Sequence, residues 1–275
     1  MHRDPTSIRW LAARAERVDT TLDPGPLGGW RPARSLGTSA VGPRSLAYHE
    51  SGEPALAYRV DRRLISDRTR AADDAFFPGA FPAHPHILTP TQAHRDNAGD
   101  LWLFAPFIGS ARGLLTLEQL ASARDGGVID RCEAAFTGVQ LLGAAAAAHT
   151  QGFLHGVIDA SQVLVHPRGS LLIELYGASH RLRDLPVATD ADRARETRSI
   201  VTLVSRLAFG PSGSACQGAL ERWVAAGSAD RGYPTAADAL AALEATLPAI
   251  SAESDARRSW LRELMGLAAW TITRR

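Results

Sequence analysis

In the stretch HGVIDASQVLV, residues 155–165, an imidazole (His155), a carboxylate (Asp159) and a carboxamide (Gln162) fall close together ahead of an apolar run. Further on, SLLIELYGAS, residues 170–179, sets Glu174 beside Leu175. A histidine or carboxylate in such a place could take the proton of an attacking hydroxyl, and oxygen ligands from the two segments could hold Mg²⁺ against a phosphate. Each group also has a plainer use. An Asp placed like Asp159 caps a turn, His155 suits a packed scaffold, and Gln162 offers one neutral oxygen to an ion that prefers carboxylates and phosphates. Adjacent strand residues face opposite sides, so Glu174 is expected to point away from whatever Leu175 faces.

The supply of chemistry is narrow elsewhere too. All 30 basic residues are Arg, and guanidinium is planar and never deprotonated, so no lysine-dependent mechanism is available. A coding bias towards Arg and Ala explains this better than selection against Lys, and either cause leaves the exclusion intact. The two cysteines, Cys132 and Cys216, lack metal-ligand spacing. A net charge of +1 gives no whole-chain attraction for nucleic acid or an acidic membrane. With no N-terminal apolar stretch of the signal-peptide kind, a reducing cytoplasm is the expected setting.

The elements that must position these groups change in kind along the chain. Residues 1–24 are expected to be an N-terminal extension, with Ile8, Leu11, Ala15 and Val18 at helical spacing before DPGPLGG stops the helix. Residues 25–106 alternate short apolar runs with Gly, Pro and polar turns, and ALAYRV, HILTPTQA and DLWLFAPF read as strands. Residues 107–248 have helical period. The clearest helix runs from Val128 to His149, with Ile129, Cys132, Phe136, Val139, Leu142 and Ala146 on one face. A strand-rich first part and a helix-rich second part predict an α+β chain of two lobes. In residues 249–275, Trp260, Leu264, Leu267 and Trp270 recur at helical spacing between arginines. This tail is too short to cross a bilayer. It is expected to pack on its own domain, with a protein partner or a membrane surface as alternatives.

Eight segments in this order resemble the bacterial Hanks-type Ser/Thr protein kinase family. LGTSAVGPRSLA resembles the Gly-rich phosphate loop, with Gly37 and Gly42 as first and third glycines and Ser39 in the middle position. PALAYRV resembles the strand of the phosphate-binding lysine, with Arg59 in its place; HPHIL and LWLFAPFIGS resemble the segments leading to the hinge. AAAHTQGFLHGVIDASQVLV resembles the catalytic loop and its preceding helix, with Val157 for the proton-accepting Asp and Gln162 for the metal-binding Asn. SLLIELYGAS resembles the Asp-Phe-Gly strand, with Leu175 for Asp and Gly177 for Gly. ETRSIVTLVSRLAFG resembles the central helix, with Glu196 where an Asp supports the catalytic loop, and DRGYPTAADALAAL the turn that carries Arg231. The resemblance implies a β-rich N-lobe, a helical C-lobe, and structural roles for His155, Gly177, Glu196 and Arg231. It implies a vestigial nucleotide cleft at Gly37, Ser39, Gly42 and Arg59. No convincing counterpart of the regulatory-helix Glu exists; Asp73 and Asp74 lie nearby, just before the helix-breaking FFPG.

Set against the family pattern, Arg59, Val157, Gln162 and Leu175 are degenerate catalytic positions. Loss of a general base removes about 10²–10⁴-fold, which alone would leave a slow kinase. Loss of both metal ligands matters more, because phosphoryl transfer rests on cations that neutralise the moving group. Only residues 178–195 separate Gly177 from Glu196, without an Ala-Pro-Glu element, so the peptide-substrate platform looks deleted. The expectation is a pseudokinase that binds a protein partner, with weak or no ATP binding, no Mg²⁺ and no nucleic acid. The alternative is a residual or atypical phosphotransferase using ATP, since the HG of His155 and Gly156 also resembles the loop of aminoglycoside phosphotransferases.

Overall fold

A computed structural model describes residues 27–67, 81–110, 113–211 and 218–253. The N-terminal extension up to residue 26, the pair Asp73 and Asp74, Cys216 and the tail tryptophans Trp260 and Trp270 lie outside the described residues. Strands β1 (Trp30–Ser39), β2 (Gly42–His49) and β3 (Pro54–Arg59) form consecutive antiparallel hairpins. They continue through β6 (Leu101–Pro106) to β5 (Gln92–Arg95), giving a five-stranded sheet in the order β1-β2-β3-β6-β5. The expected strand HILTPTQA divides, because Pro90 cannot donate to a ladder. Its first half, β4 (Ile87–Leu88), leaves that sheet and pairs parallel with β8 (Leu171–Glu174), which pairs antiparallel with β7 (Val163–Val165). One segment of the N-lobe is thus hydrogen-bonded into the C-lobe.

The C-lobe is helical: α1 (Leu117–Ser122), α2 (Arg131–Thr150), α3 (Ala178–Leu182), α4 (Asp190–Phe209), α5 (Ala219–Ser228) and α6 (Ala236–Glu253). Side-chain oxygens start the main ones: Thr116 and Thr189 form capping boxes at α1 and α4, and Asp130 accepts from Cys132 N–H at α2. The boundary expected between residues 248 and 249 falls inside α6, which continues to Glu253.

Helix α2 buries a wider arc than its larger side chains suggest: Ile129 and Leu142 of the expected face are buried and Val139 and Ala146 pack partly on the core, while Phe136 is exposed. Ala134, Ala135, Gly138, Leu141, Ala145 and Ala148 are buried as well, and Cys132 is half-buried. Small residues win the core because they let helices approach closely: a Cβ at Gly138 would lie 2.8 Å from Leu243 and 3.0 Å from Val204. The lower core joins α2 to β7, β8, α4, α5 and α6. A second cluster spans the lobes, and a third covers the outer face of the N-lobe sheet with Trp30, Trp102 and Phe104. No helix among the described residues is long and apolar enough to cross a membrane.

Candidate functional site

Two sheet faces decide where a ligand between the lobes would meet side chains. Leu56 and Tyr58 of β3, with Val60 just after it, join the inter-lobe cluster with Leu164, Leu175, Ala178 and Leu182 of the C-lobe, whereas Ala55 and Ala57 belong to the outer cluster. Alternation then puts Arg59 on the outer face. Its guanidinium pairs there with Asp100 at 3.0 Å, and Arg62 binds the same carboxylate. The expected cleft position of Arg59 is therefore corrected: the β3 residue that faces the cleft is Tyr58, one step earlier.

What fills the cleft comes from β2. Arg44, directly opposite Tyr58 in the β2–β3 ladder, reaches down to β8, where its Nη1 donates to Glu174 Oε1 at 2.6 Å. The pair is 4% and 2% exposed. Nε and Nη2 donate to the Leu36 carbonyl of β1 at 3.3 and 3.1 Å, so the guanidinium is committed on both sides. Burial raises the Glu174 pKa and the Arg44 charge opposes that rise; burial also drives the Tyr58 hydroxyl well above its ordinary value, with the Glu174 charge adding to it. Arg44, Tyr58 and Glu174 were not anticipated as cleft residues. In a pseudo-continuous apolar strand the alternation is silent, and an ion pair between β2 and β8 has no local signature.

The Gly-rich hairpin is closed on itself. Ser39 Oγ donates to the Gly42 carbonyl at 3.0 Å and accepts from Val41 N–H at 3.3 Å. Val41 is buried in the inter-lobe cluster, its carbonyl accepts from Asp61 N–H at 2.8 Å, and a Cβ at Gly42 would lie 2.2 Å from the Arg59 carbonyl oxygen. Gly42 therefore serves a close backbone approach to β3, and the amides of Val41 and Asp61 are spent inside the protein. Gly37, with φ of 88°, is exposed.

Below the cleft, the loop from His155 keeps an ordered frame. Glu196 of α4 accepts from the backbone N–H groups of His155 and Gly156, each at 2.7 Å, from His149 Nε2 at 3.0 Å, and from the Tyr176 hydroxyl. His155 lies against Tyr176 with ring centroids 5.3 Å apart, and burial holds its pKa below the usual value, so it is a neutral packed ring. Asp159 caps the turn Ala160–Gln162: its Oδ1 accepts from Ser161 N–H at 2.8 Å, while Gln162 Oε1 accepts from Asp159 N–H at 3.2 Å. Val157 is 67% exposed. Leu175 is buried in apolar surroundings and adopts φ of 50°. At Gly177, φ of 80° opens α3, whose Leu182 carbonyl accepts from Ser66 N–H at 2.9 Å, so the segment after LYG turns back to the N-lobe. Arg231 is exposed between α5 and α6.

A kinase fold implies Mg²⁺ bound with ATP, and the residues here do not fit the metal. Leu175 and Val157 have no ligand atoms, the Gln162 oxygen is engaged in its cap, and Glu174 is held by Arg44. No group of three or more His, Cys, Asp or Glu suited to a metal exists among the described residues.

No protein-family model matches the chain, and no curated protein matches its sequence. Solved structures do match. The kinase domain of Mycobacterium tuberculosis PknI aligns with a TM-score of 0.57 and 18% identity, over 79% of this chain and 96% of that one. Two double-mutant forms of that domain give TM-scores of 0.59 and 0.56 at 17% identity, over 79% and 81% of this chain and 96% of theirs. At such identity the likeness is one of fold: this chain has the two-lobed protein-kinase fold.

Proposed function

We propose that this chain is a pseudokinase, a kinase-fold domain that acts by binding another protein. The observation that carries the reading is the buried Arg44–Glu174 pair, which lies between β2 and β8 where a nucleotide would have to enter. Displacing it would strand one buried charge, at a cost of about 3–5 kcal/mol. A nucleotide without well-held metal has little to offset that cost. Support for a binding role comes from the short connection between α3 and α4. It exposes Leu185 and Val187, the latter at 80%, near the end of the chain segment that would otherwise hold a peptide.

A second reading, a residual phosphotransferase, is favoured by the likeness to domains titled as kinases. Titration calorimetry of the full chain with ATP and Mg²⁺, followed by phosphate-release measurement, separates the two. The pseudokinase reading expects no metal-dependent heat and no turnover; saturable metal-dependent binding with turnover would establish the enzyme. Photo-crosslinking from position 187 in the native cell then tests the partner surface, and labelling confined to the chain itself would remove that surface from the reading.

A further inference from the structure

The edge strand β1 carries a bulge where it meets β2. Pro32 pairs with Ala47 and Arg34 with Leu46, so Ala33 is the extra residue. Ala47 belongs to the outer cluster of the sheet, whereas Leu46, two residues on from Arg44, shares the face that meets the C-lobe. Plain alternation would put Arg34 on the outer face with Pro32; the extra residue turns it to the inner one. A bulge re-aims a side chain in this way, and here it sends a cation inwards.

The bulge borders a cavity of about 350 Å³ that Ala33 and Arg34 line with Leu46, Tyr48, Pro54, Phe107 and Ser110. Tyr48 stands opposite Pro54 in the β2–β3 ladder. The Phe107 ring lies over the turn after β6, where Ser110 and Gly113 exchange backbone hydrogen bonds at 2.9 Å and a Cβ at Gly109 would lie 2.5 Å from the ring. Arg44, Tyr58 and Glu174 do not line the cavity, so it is distinct from the filled cleft between the lobes. Arg34 is its only charged residue, and no hydrogen bond or ion pair engages that side chain among the described residues. Its Nε is shut off from water without an acceptor, although the residue as a whole is only half-buried. A guanidinium so placed lacks the partner it suits best, two oxygens in one plane. Small-molecule sites occupy roughly 300–1,000 Å³ and are mostly apolar with a few placed polar groups. One cation suits a single negative charge better than a phosphate ester, which carries about −1.5 to −2. Leu46 and two aromatic rings suit a flat apolar body.

We propose that this cavity binds a small aromatic monocarboxylate, whose carboxylate pairs with Arg34 and whose ring lies against Tyr48 and Phe107. Titration calorimetry of the full chain with indole-3-acetate tests it, with tryptophol, which has a hydroxyl in place of the carboxylate, as the neutral control. Indole-3-acetate is expected to bind saturably and at least about tenfold more tightly than tryptophol. Arg34→Gln should remove that preference while leaving the urea midpoint unchanged, because the side chain has no partner to lose. Arg34→Lys should recover part of it, since an ammonium keeps the charge without the planar fork. Tyr48→Ala should weaken both probes. The site is overturned if the wild type gives no saturable heat below about 1 mM, if tryptophol binds as well as indole-3-acetate, or if the preference survives Arg34→Gln. It is overturned equally if a tripeptide ending in Trp with a free carboxylate binds more tightly than indole-3-acetate, which marks a chain terminus as the occupant.

Discussion

Glu196 and Glu174 are both buried carboxylates in the C-lobe, 1% and 2% exposed, and they are used for opposite ends. Glu196 faces groups of its own lobe: two loop amides, His149 and Tyr176. Those donors belong to the junction of α2, the loop and α4, and every one would be left unsatisfied without it. Glu174 faces a single cation that crosses from the N-lobe. Its partner Arg44 lies opposite Tyr58 on the sheet face that meets the C-lobe. The difference teaches which parts of the fold are indispensable to packing. The loop frame is needed whatever the loop does, whereas the pair across the cleft is a single contact between lobes that apolar residues of similar volume could replace.

Substitution at the two carboxylates can break this comparison. Glu196→Ala should cost about 4 kcal/mol in urea unfolding, because several buried donors lose their acceptor together. Glu174→Ala should cost about 3 kcal/mol by stranding Arg44. Replacing both partners, Arg44→Met with Glu174→Leu, should return stability to within about 1 kcal/mol of the wild type, since an apolar pair of similar volume escapes the desolvation cost. No double replacement of Glu196 and its donors can do the same, because two of them are backbone. If the double variant at the cleft stays as unstable as Glu174→Ala, the pair is a structural requirement and the contrast fails.

The pH dependence sharpens the same point. Burial raises the Glu174 pKa above its ordinary 4.5, so between those two values the folded chain binds the extra proton and stability falls as pH rises. Below 4.5 that contribution is fully present, and it is lost as pH climbs through the raised value. The slope is bounded at about 1.4 kcal/mol per pH unit for one group. Subtracting the Glu174→Gln stability curve from the wild-type curve should leave a difference that declines with pH across this window. A difference that rises instead would mean that the Arg44 charge outweighs burial.

The loop frame was legible in the sequence and the cleft was not, for a physical reason. The strands around Val163–Val165 and Leu171–Glu174 and the cap at Asp159 are local patterns, as is the spacing from the loop to Glu196. The face of β3 is not: Ala55, Leu56, Ala57 and Tyr58 are all buried, so alternation gives no sign of which set looks at the C-lobe, and Arg59 is assigned one position out of register. The pairing of Arg44 with Glu174 depends on the lobes closing and leaves no trace in either neighbourhood. Helix α2 misleads only in part: Leu142 and Val139 of the face its larger side chains suggest do meet the core, but Phe136 is exposed and close packing adds Ala and Gly residues to the inward arc.

The smallest expected effect is at Val157. It is 67% exposed on a loop whose backbone is already fixed by Glu196, so Val157→Asp should change stability by no more than about 0.5 kcal/mol. It would restore the group that accepts a proton in active kinases, worth about 10²–10⁴-fold where the rest of the machinery stands. Here the rest does not stand: Leu175 offers no ligand, Gln162 is engaged in its cap, and Arg44 keeps the cleft filled. Phosphate release by Val157→Asp should therefore be indistinguishable from that of the wild type. Turnover gained from this one substitution would show that nucleotide and metal do reach the loop past Arg44, and that the cleft and the frame below it have not parted in function.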